Sequence, residues 1–211
     1  KQILQKIDDK YLIKKIDDEA GDNGTGRWML NYGIELGSPL SMLSSAMDTR
    51  FISRFKTLRK EISEMTKQRS KEYTIDINSL KKAYQFCKLI NFIQAFCLIN
   101  ASNKKYGWNI SISKALNVWS NGSIIKSSQI NDLYFNYSVE NILSDKEIIK
   151  DLNEYKPDLI NVILLALRND ISIPCFAEAL NYFNSISSNS LSTKMIQAQR
   201  NFFGSHYIKI N

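Results

Sequence analysis

An all-α fold is what this sequence predicts, on three observations. Long stretches run without Gly or Pro and carry apolar residues at helical spacing. Helix starts and stops recur at the ends of those stretches. One segment alone, Tyr73 to Ile77 (Tyr-Thr-Ile-Asp-Ile), reads as a strand, and it is too short to build a sheet.

The elements follow in order. The chain enters directly into helical pattern from Lys1. Ser38-Pro39 is a start signal, with Ser as cap and Pro at the first helical position. From Leu40 to about Lys67 neither Gly nor Pro interrupts, which predicts one long helix carrying Arg50, Arg54 and Arg59. A second long helix is predicted from about Ser79 to Asn103. Its middle (Phe86, Cys87, Leu89, Ile90, Phe92, Ile93, Phe96, Cys97, Leu98, Ile99) is apolar on nearly every face. Such a helix is buried all round, which in a chain of this size points to a partner subunit.

Shorter helices are predicted over Ile112–Trp119, ended by Ser120-Asn121-Gly122, and over Ile124–Tyr134. Ser144-Asp145-Lys146-Glu147 has capping-box spacing and opens the next helix, which Pro157 breaks from a successor running to about Asn169. Pro174 begins a helix over Cys175–Ile186, and a last one covers Thr193–Phe203. Ser185 to Ser192 is a loop rather than a domain boundary, and no repeat or Gly-, Ser- or Pro-rich linker divides the chain. The whole is read as one helical domain, residues 1–211, with two long buried helices and a C-terminal tail.

Composition bounds the function. The 211 residues are 44% hydrophobic and 23% charged, ordinary for a globular domain. No apolar run reaches the ~20 residues of a membrane span, and no secretory signal opens the chain. The three cysteines, Cys87, Cys97 and Cys175, are odd in number and form no CxxC pair. That argues against a disulfide framework and a structural zinc, and favours a reducing, cytoplasmic setting. Asn-x-Ser/Thr triplets such as Asn109-Ile110-Ser111 are expected by chance in a chain so rich in Asn and Ser. With 28 basic and 21 acidic residues the net charge is +7, which suits a phosphate ester or nucleic acid but equally a solvated basic surface.

Three constellations bear on chemistry. In Asp22-Asn23-Gly24-Thr25-Gly26-Arg27-Trp28 two glycines flank a Thr just before a helix, where free N–H groups face an anion. The segment matches neither the P-loop nor GxGxxG, and a plain turn between helices explains it as well. Arg50 lies in a largely apolar stretch; Arg grips phosphate through paired hydrogen bonds, and an exposed helix Arg explains the position as well. The run Gln197 to His206 contains the only His of the chain near Arg200, a pair that suits an oxyanion, although on the residues alone a frayed helical tail explains it better. No nucleophile–His–Asp set and no metal-ligand cluster is present. The adjacent pairs Asp8-Asp9 and Asp17-Asp18 diverge on a helix and read as solvated faces.

Taken in order, these segments resemble one family, the 6-phosphogluconate dehydrogenases. DNGTGRW (Asp22 to Trp28) is similar to its Q-K-G-T-G-K-W, and GIELGSPL (Gly33 to Leu40) to A-L-x-x-G-x-P-x. SAMDTRFISRF (Ser45 to Phe55) resembles E-A-V-F-A-R-x-x-S-x-x, and FIQAF (Phe92 to Phe96) resembles Y-A-Q-G-F. Tyr106-Gly107-Trp108 and WSNGSIIK (Trp119 to Lys126) match Y-G-W and W-R-G-G-C-I-I-R. IPCFAEALNYFNS (Ile173 to Ser185) is similar to I-P-x-P-x-x-x-x-A-L-x-Y-F-D-S. QAQRNFFGSH (Gln197 to His206) resembles Q-A-Q-R-D-Y-F-G-A-H, the most specific of the set. The match covers almost the whole chain.

The resemblance implies the helical C-terminal domain of an NADP-dependent oxidoreductase that oxidatively decarboxylates 6-phosphogluconate to ribulose 5-phosphate and CO₂ in the pentose phosphate pathway. It implies an obligate homodimer, a tail reaching into the partner subunit, and neither nucleic acid nor membrane as partner. Thr25 and Arg50 would hold the substrate phosphate within one subunit, while Arg200 and His206 would reach the partner's pocket. The family's Lys in the Gly-rich turn corresponds to Asn23, which removes a charge, and its Arg after Trp119 corresponds to Ser120. The family's catalytic K-x-x-H-N-G-I-E-Y has only a superficial echo in Asn31 to Leu36, so Glu35 reads as structural. The catalytic Lys and Glu, and the NADP fingerprint, are expected before Lys1, and no catalytic residue is assigned in this chain. The competing reading is a non-catalytic basic helical module that binds nucleic acid or another anionic partner.

Overall fold

The computed structural model describes residues 5–7, 9–66, 73–123, 125, 142 and 144–207. The expected helix over Ile124–Tyr134 lies outside them.

The first described residues form a hairpin rather than a helix. Lys6–Ile7 (β1) and Lys10–Tyr11 (β2) pair antiparallel, Lys6 opposite Tyr11 and Ile7 opposite Lys10, and a short 3₁₀ turn, Leu12–Lys14, follows. Asp9 sits at φ 61° in the connecting turn, a conformation Asp tolerates better than most residues.

Helix α1 spans Thr25–Glu35 and α2 spans Ser41–Ser53. Neither Ser38 nor Pro39 starts α2: its cap position is Leu40, and the Ser38 hydroxyl is buried without a hydrogen-bond partner. The cap comes from another helix. Gln94, 1% exposed, accepts the Met42 N–H through Oε1 (3.3 Å) and donates from Nε2 to the Ser41 hydroxyl (3.1 Å). One of the orphan donors that every helix start leaves is thereby satisfied across the core.

The predicted helix from Leu40 to Lys67 is two helices. It breaks at Arg54-Phe55, and α3 resumes over Lys56–Met65. Tertiary contacts hold the break. Arg59 donates to the Ser53 carbonyl (3.0 Å), and Arg54 turns away to Asp22 (2.7 Å). No residue of α3 is buried.

Helix α4, Ile77–Tyr106, is the centre of the molecule. The Asp76 side chain caps its start by accepting from the Asn78 and Ser79 N–H groups, and Gly107 at φ 69° ends it. Ile77 belongs to this helix, so no strand forms over 73–77. Phe86, Phe96, Ile90, Ile93, Leu89, Cys87 and Phe92 are all 5% exposed or less within the single chain. Most of the apolar surface of α4 is thus covered by the chain's own helices, while Cys97, Leu98 and Ile99 stay half-buried. Burying one such side chain contributes roughly 1.5–3 kcal/mol.

Those covering helices are α5 (Ile112–Ser120), α6 (Lys146–Arg168) and α7 (Pro174–Ile186). Trp119 of α5 stacks on Phe96 at 5.9 Å, and Phe183 of α7 meets Phe86 edge-on at 5.5 Å. Helix α6 packs along α4, while α7 packs against both α2 and α4.

Helix α6 corrects two expectations. Its cap is Asp145, which accepts from the Glu147 and Ile148 N–H groups, rather than a box built on Ser144. It also runs unbroken through Pro157. Pro removes the bond to the carbonyl four residues earlier, here Asn153, and costs ~3 kcal/mol in a helix interior. Both residues are exposed, so water can reach that carbonyl. Ile148 and Leu152 before the proline, and Leu159, Val162 and Ile163 after it, are buried on the same core and keep the two halves collinear.

Helix α8, Thr193–Gly204, closes the described chain and buries no side chain.

Candidate functional site

The Gly-rich turn is the start of α1. Gly24 takes φ 85° at the cap position, which Gly adopts without strain, and no side chain caps the helix. Thr25, the first helical residue, is exposed, as is Asn23. Gly26 packs closely on α2: a Cβ there would stand 2.7 Å from the Met47 sulfur, which would have to shift. This close approach sets α1 and its turn against α2, whose far end carries Arg50 and Arg54.

The segment before the turn is strapped to α2 and α3. The Ala20 N–H donates to the Ser53 hydroxyl (2.9 Å), and Arg50 Nη1 donates to the Gly21 carbonyl (2.8 Å). Asp17 pairs with Lys56, and Asp18 with Arg59 (2.7 Å). The two acids, expected as plain solvated faces, are exposed but tied. Their partners hold both carboxyls below the usual carboxylate range.

Asp22 is the knot. Its Oδ1 accepts from the Gly24 N–H (3.0 Å) and from Arg27 (2.9 Å), and its Oδ2 from Arg54 (2.7 Å). Its side chain is 4% exposed. The hydrogen bond from Arg54, then those from Gly24 and Arg27, hold its carboxyl below the usual range. Sequence reasoning named this segment for its glycines and gave Asp22 no role. An Asp two residues before a Gly at a turn is the signal that marks it.

The structure therefore brings Arg50 to the backbone four residues before Thr25, with Arg27 and Arg54 beside it. It does not bring the tail there. Arg200 and His206 are exposed on and after α8. Arg200 meets Gln197 (3.5 Å), and the His206 ring folds back against Gly204. Phe202, Phe203 and Tyr207 beside them are more than four-fifths exposed. Among the described residues no hydrogen bond or ion pair joins Arg200 or His206 to Asn23, Thr25 or Arg50. Glu35 accepts a hydrogen bond from Tyr106 (2.9 Å), tying the end of α1 to the end of α4.

No helix among the described residues is long and apolar enough to cross a membrane, and no group of three or more His, Cys, Asp or Glu side chains there can hold a metal ion. Cys87, Cys97 and Cys175 are free thiols. Among the described residues some basic side chains pair with acids: Arg27 and Arg54 share Asp22, Lys56 pairs with Asp17, Arg59 with Asp18, and Lys82 with Glu154.

A long buried helix sheathed by shorter ones, with a basic Gly-rich turn at one edge, places the chain in the class of all-helical domains. The family is narrower. The family model for the 6-phosphogluconate dehydrogenase C-terminal domain matches residues 1–211, and the chain belongs to that family. A "6-phosphogluconate dehydrogenase, decarboxylating" from Lactococcus lactis subsp. lactis (strain IL1403) is 30% identical over 217 residues, covering 98% of this chain and 46% of the relative. One from Buchnera aphidicola subsp. Acyrthosiphon pisum (strain APS) is 33% identical over 206 residues, covering 93% and 44%. Plasmodium falciparum 6-phosphogluconate dehydrogenase has been solved in its apo form, in complex with its cofactor NADP+ and in complex with its substrate 6-phosphogluconate. It superposes with a TM-score of 0.85 at 30% identity, over 96% of this chain and 46% of that one. The chain spans about half the length of these relatives.

Proposed function

We propose that this chain is the substrate-phosphate-binding and dimer-forming domain of an NADP-dependent enzyme that oxidatively decarboxylates 6-phosphogluconate to ribulose 5-phosphate and CO₂. The observation that carries this reading is the family match over all 211 residues, joined to relatives named for that reaction. The 211 residues act as one domain of a cytoplasmic enzyme.

NADP takes up the hydride when bound. The described residues do not fit it: their only sheet is a two-stranded antiparallel hairpin, and no strand leads directly into the Gly24–Gly26 turn. The cofactor is held mainly by a nucleotide-binding domain outside these 211 residues, which also carries the catalytic Lys and Glu.

The present residues hold the far end of the substrate. Arg50 offers paired donors to the phosphate, the Thr25 hydroxyl adds one, and the open start of α1 adds backbone N–H groups. Asn23 supplies an uncharged amide where the family has Lys. Arg200 and His206, carried on a tail whose Phe202 and Phe203 find little cover among the described residues, complete the pocket of the partner subunit in a homodimer. Fixing a remote phosphate contributes to rate because it sets the reacting carbon in place.

The test is the reaction itself. The full-length protein with NADP and 6-phosphogluconate releases NADPH and CO₂ in equal amounts. Arg50→Ala and Arg200→Ala each raise KM about tenfold or more, the value of a lost charge-assisted hydrogen bond, and change kcat little. Absence of NADPH formation with this substrate sinks the reading.

A further inference from the structure

The turn and the end of α2 share one acid. Asp22 lies on an otherwise exposed segment, yet its side chain is 4% exposed and both its oxygens are used. Arg27 reaches it from α1 and Arg54 from the end of α2, with Arg50 on the Gly21 carbonyl one residue earlier. Three guanidinium groups and one carboxylate leave a formal charge of three minus one, or +2, beside Thr25.

For an anion site, a carboxylate at this place is a liability, because it repels phosphate. Its burial is explained by what it holds. Arg27 and Arg54 donate to opposite oxygens of one carboxylate, so two cations that repel each other are kept side by side. The Gly24 N–H on Oδ1 fixes the backbone of the turn that presents Thr25. Arg54 spends only Nη2 on Asp22 among the described hydrogen bonds, and its side chain remains 41% exposed.

We propose that Asp22 is the positioning residue of the phosphate site, holding the Gly24–Thr25 turn in place and orienting Arg54 as a further phosphate ligand that supplies the cation Asn23 does not. This rests on the Thr25–Arg50 reading above. It extends that reading to a residue pair joined only by the tertiary fold, 32 positions apart.

Electrostatics alone and positioning predict opposite signs for Asp22→Asn. Removing a negative charge near a bound phosphate tightens binding a few-fold if charge is all that counts. Losing the orientation of Arg54 and of the turn loosens it, because charge-assisted hydrogen bonds depend on geometry.

The experiment measures KM for 6-phosphogluconate, kcat, and the inhibition constant of inorganic phosphate in the full-length enzyme, for Asp22→Asn, Arg54→Gln and Arg50→Ala. The expected result for Asp22→Asn and Arg54→Gln is a rise of about tenfold in KM and in the phosphate inhibition constant, with kcat within about twofold. Arg54→Gln replaces an exposed side chain and decides the matter if Asp22→Asn melts early. Unchanged or tighter phosphate inhibition in Asp22→Asn, or no effect of Arg54→Gln, overturns the inference. If Arg50→Ala still weakens phosphate in that case, the site itself stands. If Arg50→Ala leaves phosphate inhibition unmoved as well, the site reading falls and takes the inference with it.

Discussion

Replacing Gln94 by Leu keeps the volume of the side chain and deletes its two hydrogen bonds. Gln94 sits in the middle of α4 at 1% exposure, and its Oε1 is the acceptor for the Met42 N–H at the start of α2. Met42 is itself buried, at 8%. After the substitution this N–H has no acceptor and little access to water. An unsatisfied buried donor costs about 1–3 kcal/mol, and the lost bond to the Ser41 hydroxyl adds about 0.5–1.5 kcal/mol. The apolar Leu recovers part of this. We expect a net loss of about 2–3 kcal/mol, which for a domain of this size lowers Tm by roughly 5–10 °C. The assay is thermal and urea unfolding of the two proteins side by side. Ser41→Ala, which leaves the Met42 N–H bonded but takes the acceptor from Gln94 Nε2, should cost about 1–2 kcal/mol, less than Gln94→Leu. A Gln94→Leu protein that loses less than about 0.5 kcal/mol would refute the reasoning, since the cross-core cap would then carry no weight.

Two further outcomes follow from single residues. Pro157→Ala restores an N–H to the exposed Asn153 carbonyl in the middle of α6, and should stabilise the protein by about 1–3 kcal/mol in urea titration; a loss of stability would contradict the placement of Pro157 inside a continuous helix. Burial pushes the Cys87 thiol up from 9.0 to about 12, and burial likewise raises Cys97 and Tyr182. Between pH 9 and 12 the unfolded chain releases the Cys87 proton while the folded chain keeps it, so stability from this group is present below pH 9 and declines as pH rises to 12. Cys87→Ser should flatten that decline, and in the parent protein at pH 8 Cys87 should react with a thiol reagent only on unfolding; rapid labelling of the native protein would oppose this.

What the sequence disclosed follows from how local each signal is. Helix α4 was placed to within three residues at each end, because its apolar run is long and no Gly or Pro interrupts it. Asp76 and Gly107, which cap it, are local signals too. The α2–α3 break was invisible. Nothing in Arg54-Phe55 stops a helix, and the break is held by Asp22 and by Arg59 reaching back to Ser53. Pro157 misled in the opposite direction, since the local cost of a helical proline was outweighed by core packing on both sides of it. The N-terminal hairpin turns at Asp9 without a glycine, so the usual hairpin signal was missing.

The candidate site was half legible. Thr25 and Arg50 were singled out from motif and residue type, and the fold sets Arg50 on the backbone beside the turn. Asp22 and Arg54 were not singled out, because their pairing joins the segment before α1 to the end of α2, 32 positions apart, and exists only in the folded chain.

The most direct test of the central claim is a crystal structure of the full-length protein with 6-phosphogluconate bound. The account predicts the phosphate within hydrogen-bond distance of the Arg50 guanidinium and the Thr25 hydroxyl, with Arg200 and His206 of the partner subunit closing it. A phosphate seated away from the start of α1, with Arg50 still turned to Gly21 alone, would contradict it.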